Sequence, residues 1–157
     1  MTAWSELGDE ERRLFVAESE ELLDALESGL LALERGEVDP GLVDEIFRAA
    51  HTLKGSAATA GLEGMARLTH AMENLLDEVR SGGRAPDPGD VELLLGVVDC
   101  LREMLAAVSA GQEPPEPPGA LYAALDAAAA GSTAGPPAGG PAARQAAGPG
   151  GERATAR

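Results

Sequence analysis

The sequence predicts an all-α protein: an antiparallel up-down four-helix bundle with a fifth C-terminal helix and a disordered tail. Apolar residues recur at three- and four-residue spacing through the first 130 positions, the repeat of a helix with one buried face. No segment sustains the period-two alternation of β-branched residues that marks a strand. Aromatic residues make up only 3% of the chain, with a single Trp, so the core must come from Leu, Val, Ala and Met, which suits close-packed helices. These features divide the chain into a helical bundle over residues 1–130 and a Gly/Pro/Ala-rich linker or tail over 131–157.

The first helix is expected over about 9–35, opening at Asp9 as N-cap with Glu10 and Glu11 in the first turn. Its core stripe is Phe15, Ser19, Leu22, Leu26, Leu30 and Leu33, and Gly36 stops it. Trp4 and Leu7 precede it and should cover one end of the bundle. The second helix, about 40–60, begins at Pro40 behind an Asp39 cap and stops at Gly61. The third runs over about 62–81, with Met65, Leu68, Met72, Leu75 and Val79 as its stripe. Short connections make these helices antiparallel neighbours.

The fourth helix, about 89–110, follows a loop containing Pro86 and Pro88 and is apolar on two sides. Val91, Leu94, Leu95, Val98, Leu101, Leu105 and Val108 should face the bundle. Leu93, Val97, Cys100 and Met104 should face the fifth helix, about 119–130, reached through the stiff spacer Glu113-Pro114-Pro115-Glu116-Pro117-Pro118. Without that docking the second stripe would be a dimer surface. From Gly131 onward there is too little apolar surface to offset the entropy of ordering.

The net charge is −15. Arg144, Arg153 and Arg157 against Glu152 leave +2 in the tail, so residues 1–130 carry −17. Such a surface repels nucleic acid and anionic lipid, and at most steers encounter with a basic protein partner. Cys100 is the single cysteine, so no intrachain disulfide forms and a reducing compartment is expected. Met1 to Arg13 lacks the apolar core of a signal peptide, and no apolar run approaches membrane-spanning length, so a cytoplasmic location is expected.

The chemistry concentrates on the second and third helices. Ile46, Ala50, Leu53 and Ala57 form one buried face, and His51 falls off it. Lys54 lies three residues on, and Gly55 four residues on, where a larger side chain would crowd the imidazole or close helix packing would require glycine. On the third helix, His70 and Glu73 also lie off the apolar stripe. If the chain turns back near Gly61, positions whose numbers sum to about 122 come level, placing His51 opposite position 71, within roughly 2–3 Å of axial rise of His70 and Glu73. A carboxylate that accepts a hydrogen bond from Nδ1–H fixes the imidazole tautomer and leaves the Nε2 lone pair outward. Lys54 is placed to present a point charge beside the imidazole, and His70 to complete the hydrogen-bond network.

The run Ala49-Ala50-His51-Thr52-Leu53-Lys54-Gly55-Ser56-Ala57 resembles the histidine-phosphotransfer (HPt) motif. The companion Thr69-His70-Ala71-Met72-Glu73-Asn74-Leu75-Leu76-Asp77-Glu78 is similar to the N-terminal phosphotransfer domains of CheA-type chemotaxis histidine kinases, and the likeness covers roughly residues 9–130. The resemblance implies that His51 is the phosphoacceptor, with Glu73 and His70 as its hydrogen-bonding companions and Lys54 as the neighbouring cation. It implies a domain phosphorylated by a histidine kinase catalytic domain, which uses ATP and Mg, and discharged by response-regulator receiver domains. This chain would then bind no cofactor or metal itself and would be a monomer as an isolated domain.

Two other classes compete. A di-metal bundle would use Glu-x-x-His pairs, but the order here is His70-x-x-Glu73, and Lys54 would oppose a dication. A helical adaptor would leave the His51 constellation unexplained. There is no Gly-x-x-x-x-Gly-Lys-Ser/Thr loop, so the chain is expected to be the substrate portion of a kinase. A free-standing relay protein is the alternative within the class, and the linker-like tail favours a fragment.

Overall fold

The computed structural model describes residues 3–37, 39–82 and 86–131. A short 3-10 turn, Ala3–Glu6, leads into α1 (Asp9–Glu34), α2 (Pro40–Thr59), α3 (Glu63–Gly82), α4 (Pro88–Ser109) and α5 (Gly119–Ala129). The expected tail lies outside the described residues from position 132 onward.

Local chemistry accounts for the helix ends. The cap of α1 is Gly8 rather than the expected Asp9, which is the first helical residue. Glu11 reaches back to accept from the Gly8 N–H at 2.8 Å, so the acidic side chain that closes this turn lies inside the helix. Asp39 caps α2 by accepting from Gly41 N–H at 3.0 Å, with Pro40 behind it. Asp87 and Asp90 bond each other's backbone at the start of α4, which explains why Asp90 is tolerated almost fully buried. At the far end of α2, Gly61 adopts φ +82° while its N–H and that of Leu62 return to Ala58 and Ala57 carbonyls.

The four long helices form a ring in which α1 touches α2 and α4, and α3 touches the same two. Ile46, Ala50, Leu53 and Ala57 are buried on α2, as are Met65, Leu68, Met72 and Leu75 on α3. The α1 face is broader than its expected stripe: Val16, Leu23 and Gly29 are buried, whereas Leu22 and Leu33 are only partly so. Gly29 is where α2 comes closest, since a Cβ there would lie 2.6 Å from Ile46 Cγ1. Trp4 is buried against one end of the core, with Leu7 packed partly beside it.

The fifth helix docks differently from expectation. It lies chiefly on α3 and only secondarily on α4, burying Leu125 and Ala128. The spacer sets this course. Pro117 is buried and crosses α3 at Gly64, where a Cβ would sit 3.9 Å from the proline ring. Arg67 of α3 then lies over the Tyr122 ring, 5.5 Å from its centroid. On α4, Val97 and Met104 are buried and Leu93 and Cys100 half-buried, so most of the second stripe is covered within the chain.

Candidate functional site

Two pairs across the α2–α3 seam show the register. His51 meets Glu73 and Asp44 meets Arg80, and in both pairs the residue numbers sum to 124. His51 is therefore level with Glu73, two positions beyond the expected 71. The shift arises because the closure after α2 extends through Leu62, so α3 begins at Glu63.

Glu73 is the hub. Its side chain is only 9% exposed, whereas that of His51 is 62% exposed. One carboxylate oxygen bonds His51 Nδ1, and the other lies 2.7 Å from Lys54 Nζ. Burial pushes the Glu73 carboxyl up, but hydrogen bonds from Lys54 and then His51, with their charges, hold it below its ordinary value. Glu73 is thus an ionised, nearly sealed acceptor. Its bond engages Nδ1, so Nε2 is the nitrogen left to the open side.

Lys54, expected as the cation neighbouring the imidazole, pairs with Glu73, the carboxylate that His51 also bonds. His70 is exposed on α3 one turn before Glu73 and makes no hydrogen bond or ion pair among the described residues. At Gly55 a Cβ would meet nothing within 4 Å, so neither close helix packing nor crowding by a first carbon requires glycine there.

Gly55 instead lines an open groove of about 570 Å³ between the start of α1 and the end of α2. Leu7, Glu11, Leu14, Phe15 and Glu18 form one wall, and His51, Thr52, Gly55, Ser56, Thr59 and Ala60 the other. Leu14 is 59% exposed there, the most exposed large apolar side chain described. Leu14 falls outside the core stripe of α1, so the spacing of buried positions does not reveal this wall. A third neighbour was also unmarked: the Phe47 ring lies beside the imidazole at 6.3 Å between centroids, inclined by 16°. Its position four residues before His51 was the available signal.

Among the described residues no cluster of three His, Cys, Asp or Glu could hold a metal ion, and no helix is long and apolar enough to cross a membrane. What the seam offers is an exposed imidazole held through one nitrogen with the other left open, on a helix of a four-helix bundle, the arrangement expected of a histidine-phosphotransfer domain.

Comparison with known proteins agrees. The chain belongs to the Hpt domain family, which it matches over residues 10–111. It is 41% identical over 112 residues to the chemotaxis protein CheA of Treponema pallidum, covering 71% of this chain and 14% of that one. It is 44% identical over 98 residues to the CheA of Listeria monocytogenes, covering 62% and 16%. The chain thus spans about a seventh of the length of these relatives. The crystal structure of the phosphorylated P1 domain of CheA3 in complex with CheY6 from R. sphaeroides superposes with a TM-score of 0.74 at 36% identity, over 80% of this chain and all of that one. The solution structure of the histidine phosphotransfer domain of CheA superposes with a TM-score of 0.68 at 33% identity, over 77% and 92%.

Proposed function

We propose that this chain is the phosphotransfer domain of a CheA-like chemotaxis histidine kinase, carrying a phosphoryl group on His51 between ATP and response-regulator aspartates. The observation that carries the reading is the bond from exposed His51 to buried, ionised Glu73. Glu73 keeps the proton on Nδ1, so the Nε2 lone pair can attack the γ-phosphorus. The Nε2–P bond forms as the bond from phosphorus to the β-γ bridging oxygen breaks, and ADP leaves. The ring gains positive character, which the Glu73 carboxylate stabilises. In the second step a receiver aspartate oxygen attacks the phosphorus, the Nε2–P bond breaks, and its electron pair returns to the imidazole. Phosphoryl transfer asks mainly for positioning and charge stabilisation, and a rigid helix supplies the acceptor's share.

Lys54 acts through Glu73, and by its proximity can also meet phosphoryl oxygens. His70, exposed on α3 one turn before Glu73, is the remaining candidate to contribute once a phosphoryl group is present. Gly55 keeps the approach to His51 low. The chain supplies an acceptor and no ATP chemistry of its own. ATP and Mg belong to the kinase catalytic domain, in the same polypeptide or another, and the setting is the cytoplasm. The phosphorylated state and the CheY6 complex of the R. sphaeroides relative support both halves of the cycle.

Incubation with a CheA kinase domain and γ-labelled ATP tests this. Label that is acid-labile and base-stable, absent from His51→Gln and released by a receiver domain is the expected result. Undiminished labelling of His51→Gln would remove His51 from the role, and no label on either protein would favour a non-catalytic adaptor bundle.

A further inference from the structure

A second tier of side chains lies next to the imidazole, one turn back on α2 and forward along α3. Phe47 is half-buried at the seam, with its ring nearly parallel to that of His51 at 6.3 Å between centroids, within aromatic contact range. Over the Phe47 ring lies the Arg80 guanidinium, its central carbon 3.9 Å from the ring centroid. Arg80 is itself pinned from both helices: one nitrogen is 3.1 Å from Asp44 on α2, the other 3.1 Å from Asp77 on α3. Arg48 holds the second oxygen of Asp44 at 3.0 Å. A planar guanidinium held by two carboxylates has little freedom to leave the ring it covers.

The hydrogen bond to Glu73 fixes one nitrogen of His51, but a ring held at one edge can still rock about that contact. Rocking swings Nε2, the opposite nitrogen, through the widest arc. A flat neighbour that cannot move removes this freedom, and Phe47 backed by Arg80 is such a neighbour. We propose that Phe47 is a positioning residue for phosphoryl transfer, setting the plane of the His51 imidazole and hence the direction of the Nε2 lone pair, with Arg80 holding Phe47 in place. This rests on the reading of His51 as phosphoacceptor. The Phe47 ring has no part in bond making. Its effect is confined to orientation, where small misplacements are amplified in rate.

The test compares the full chain with Phe47→Leu, Phe47→Tyr and Arg80→Met, using two donors. One is ATP with a CheA kinase lacking its own phosphotransfer domain and chosen because it labels the parent chain on His51. The other is phosphoramidate, a small donor that approaches from any direction. With the kinase, Phe47→Leu is expected to lower kcat by about tenfold with KM within about twofold of the parent, Phe47→Tyr to recover most of the rate, and Arg80→Met to lose about threefold. With phosphoramidate all four should react at similar rates, because that donor does not demand a fixed ring plane. Equal kcat values with the kinase overturn the proposal, as does an effect confined to KM, an equal loss in Phe47→Tyr, or an equal loss with both donors. If Phe47→Leu does not fold, the surface change Arg80→Met decides by the same criteria. Failure of the underlying reading looks different: no CheA kinase domain would then label the parent chain on His51, whatever phosphoramidate does.

Discussion

Glu73 and His51 face each other across the α2–α3 seam with opposite exposures: the carboxylate is 9% exposed and the imidazole it holds is 62% exposed. On the proposed function, the buried partner orients and the exposed partner reacts. Removing Glu73 should therefore leave the fold and abolish the orientation. Glu73→Ala is expected to slow phosphorylation of His51 by about a hundredfold, within the range for a positioned proton acceptor, while circular dichroism stays that of the parent. An unchanged rate would mean that Glu73 does not set the tautomer.

The same carboxylate gives a pH dependence with a definite sign. Glu73 titrates below its ordinary value in the folded chain, because the Lys54 and His51 hydrogen bonds outweigh the effect of burial. The folded state then binds this proton more weakly than the unfolded state. The stabilisation is fully present above the unfolded value, about 4.3, and is lost as pH falls through the lower folded value. Urea unfolding of the parent and Glu73→Gln should show a difference that shrinks as pH falls below about 5. A difference that grows below about pH 5 would contradict the direction of the shift.

Lys54 touches the carboxylate rather than standing free, at 2.7 Å from its second oxygen. Lys54→Ala should consequently behave as a weaker version of the Glu73 change. The expected loss in phosphorylation rate is roughly threefold to tenfold, that of one hydrogen bond to a group that keeps its other partner. The Glu73 carboxyl should titrate higher in this variant, which carbon-13 chemical shifts of its side chain would follow. A loss as large as that of His51→Gln would place Lys54 on the phosphoryl group itself.

The parts of this arrangement that sequence made legible were those set by periodicity. The spacing of Ile46, Ala50, Leu53 and Ala57 fixed the buried face of α2, and so put His51 outside the core. The two-residue difference in register comes from the turn: glycine chemistry points to Gly61 as the pivot, whereas the closing hydrogen bonds run on through Leu62. Pairings across helices were the hardest to foresee. Arg80 could have bonded any of several acidic neighbours, and its place over Phe47 depends on Asp44, 36 residues earlier. The docking of α5 on α3 likewise depends on where Pro117 crosses Gly64, which no single-helix pattern encodes.

Gly55 separates packing from access. A Cβ at this position meets nothing within 4 Å, and glycine inside a helix is about 1 kcal/mol less favourable than alanine. Gly55→Ala is thus expected to stabilise the fold by about 1 kcal/mol in urea unfolding. Gly55→Trp puts a large ring into the groove that also runs past His51 and Leu14, without pressing on the core. It should leave helicity intact, permit reaction of His51 with phosphoramidate, and block transfer from a kinase or to a receiver domain. If Gly55→Trp exchanges phosphoryl groups with both proteins as fast as the parent, then neither approaches His51 over this side of α2, and the glycine has no role in access.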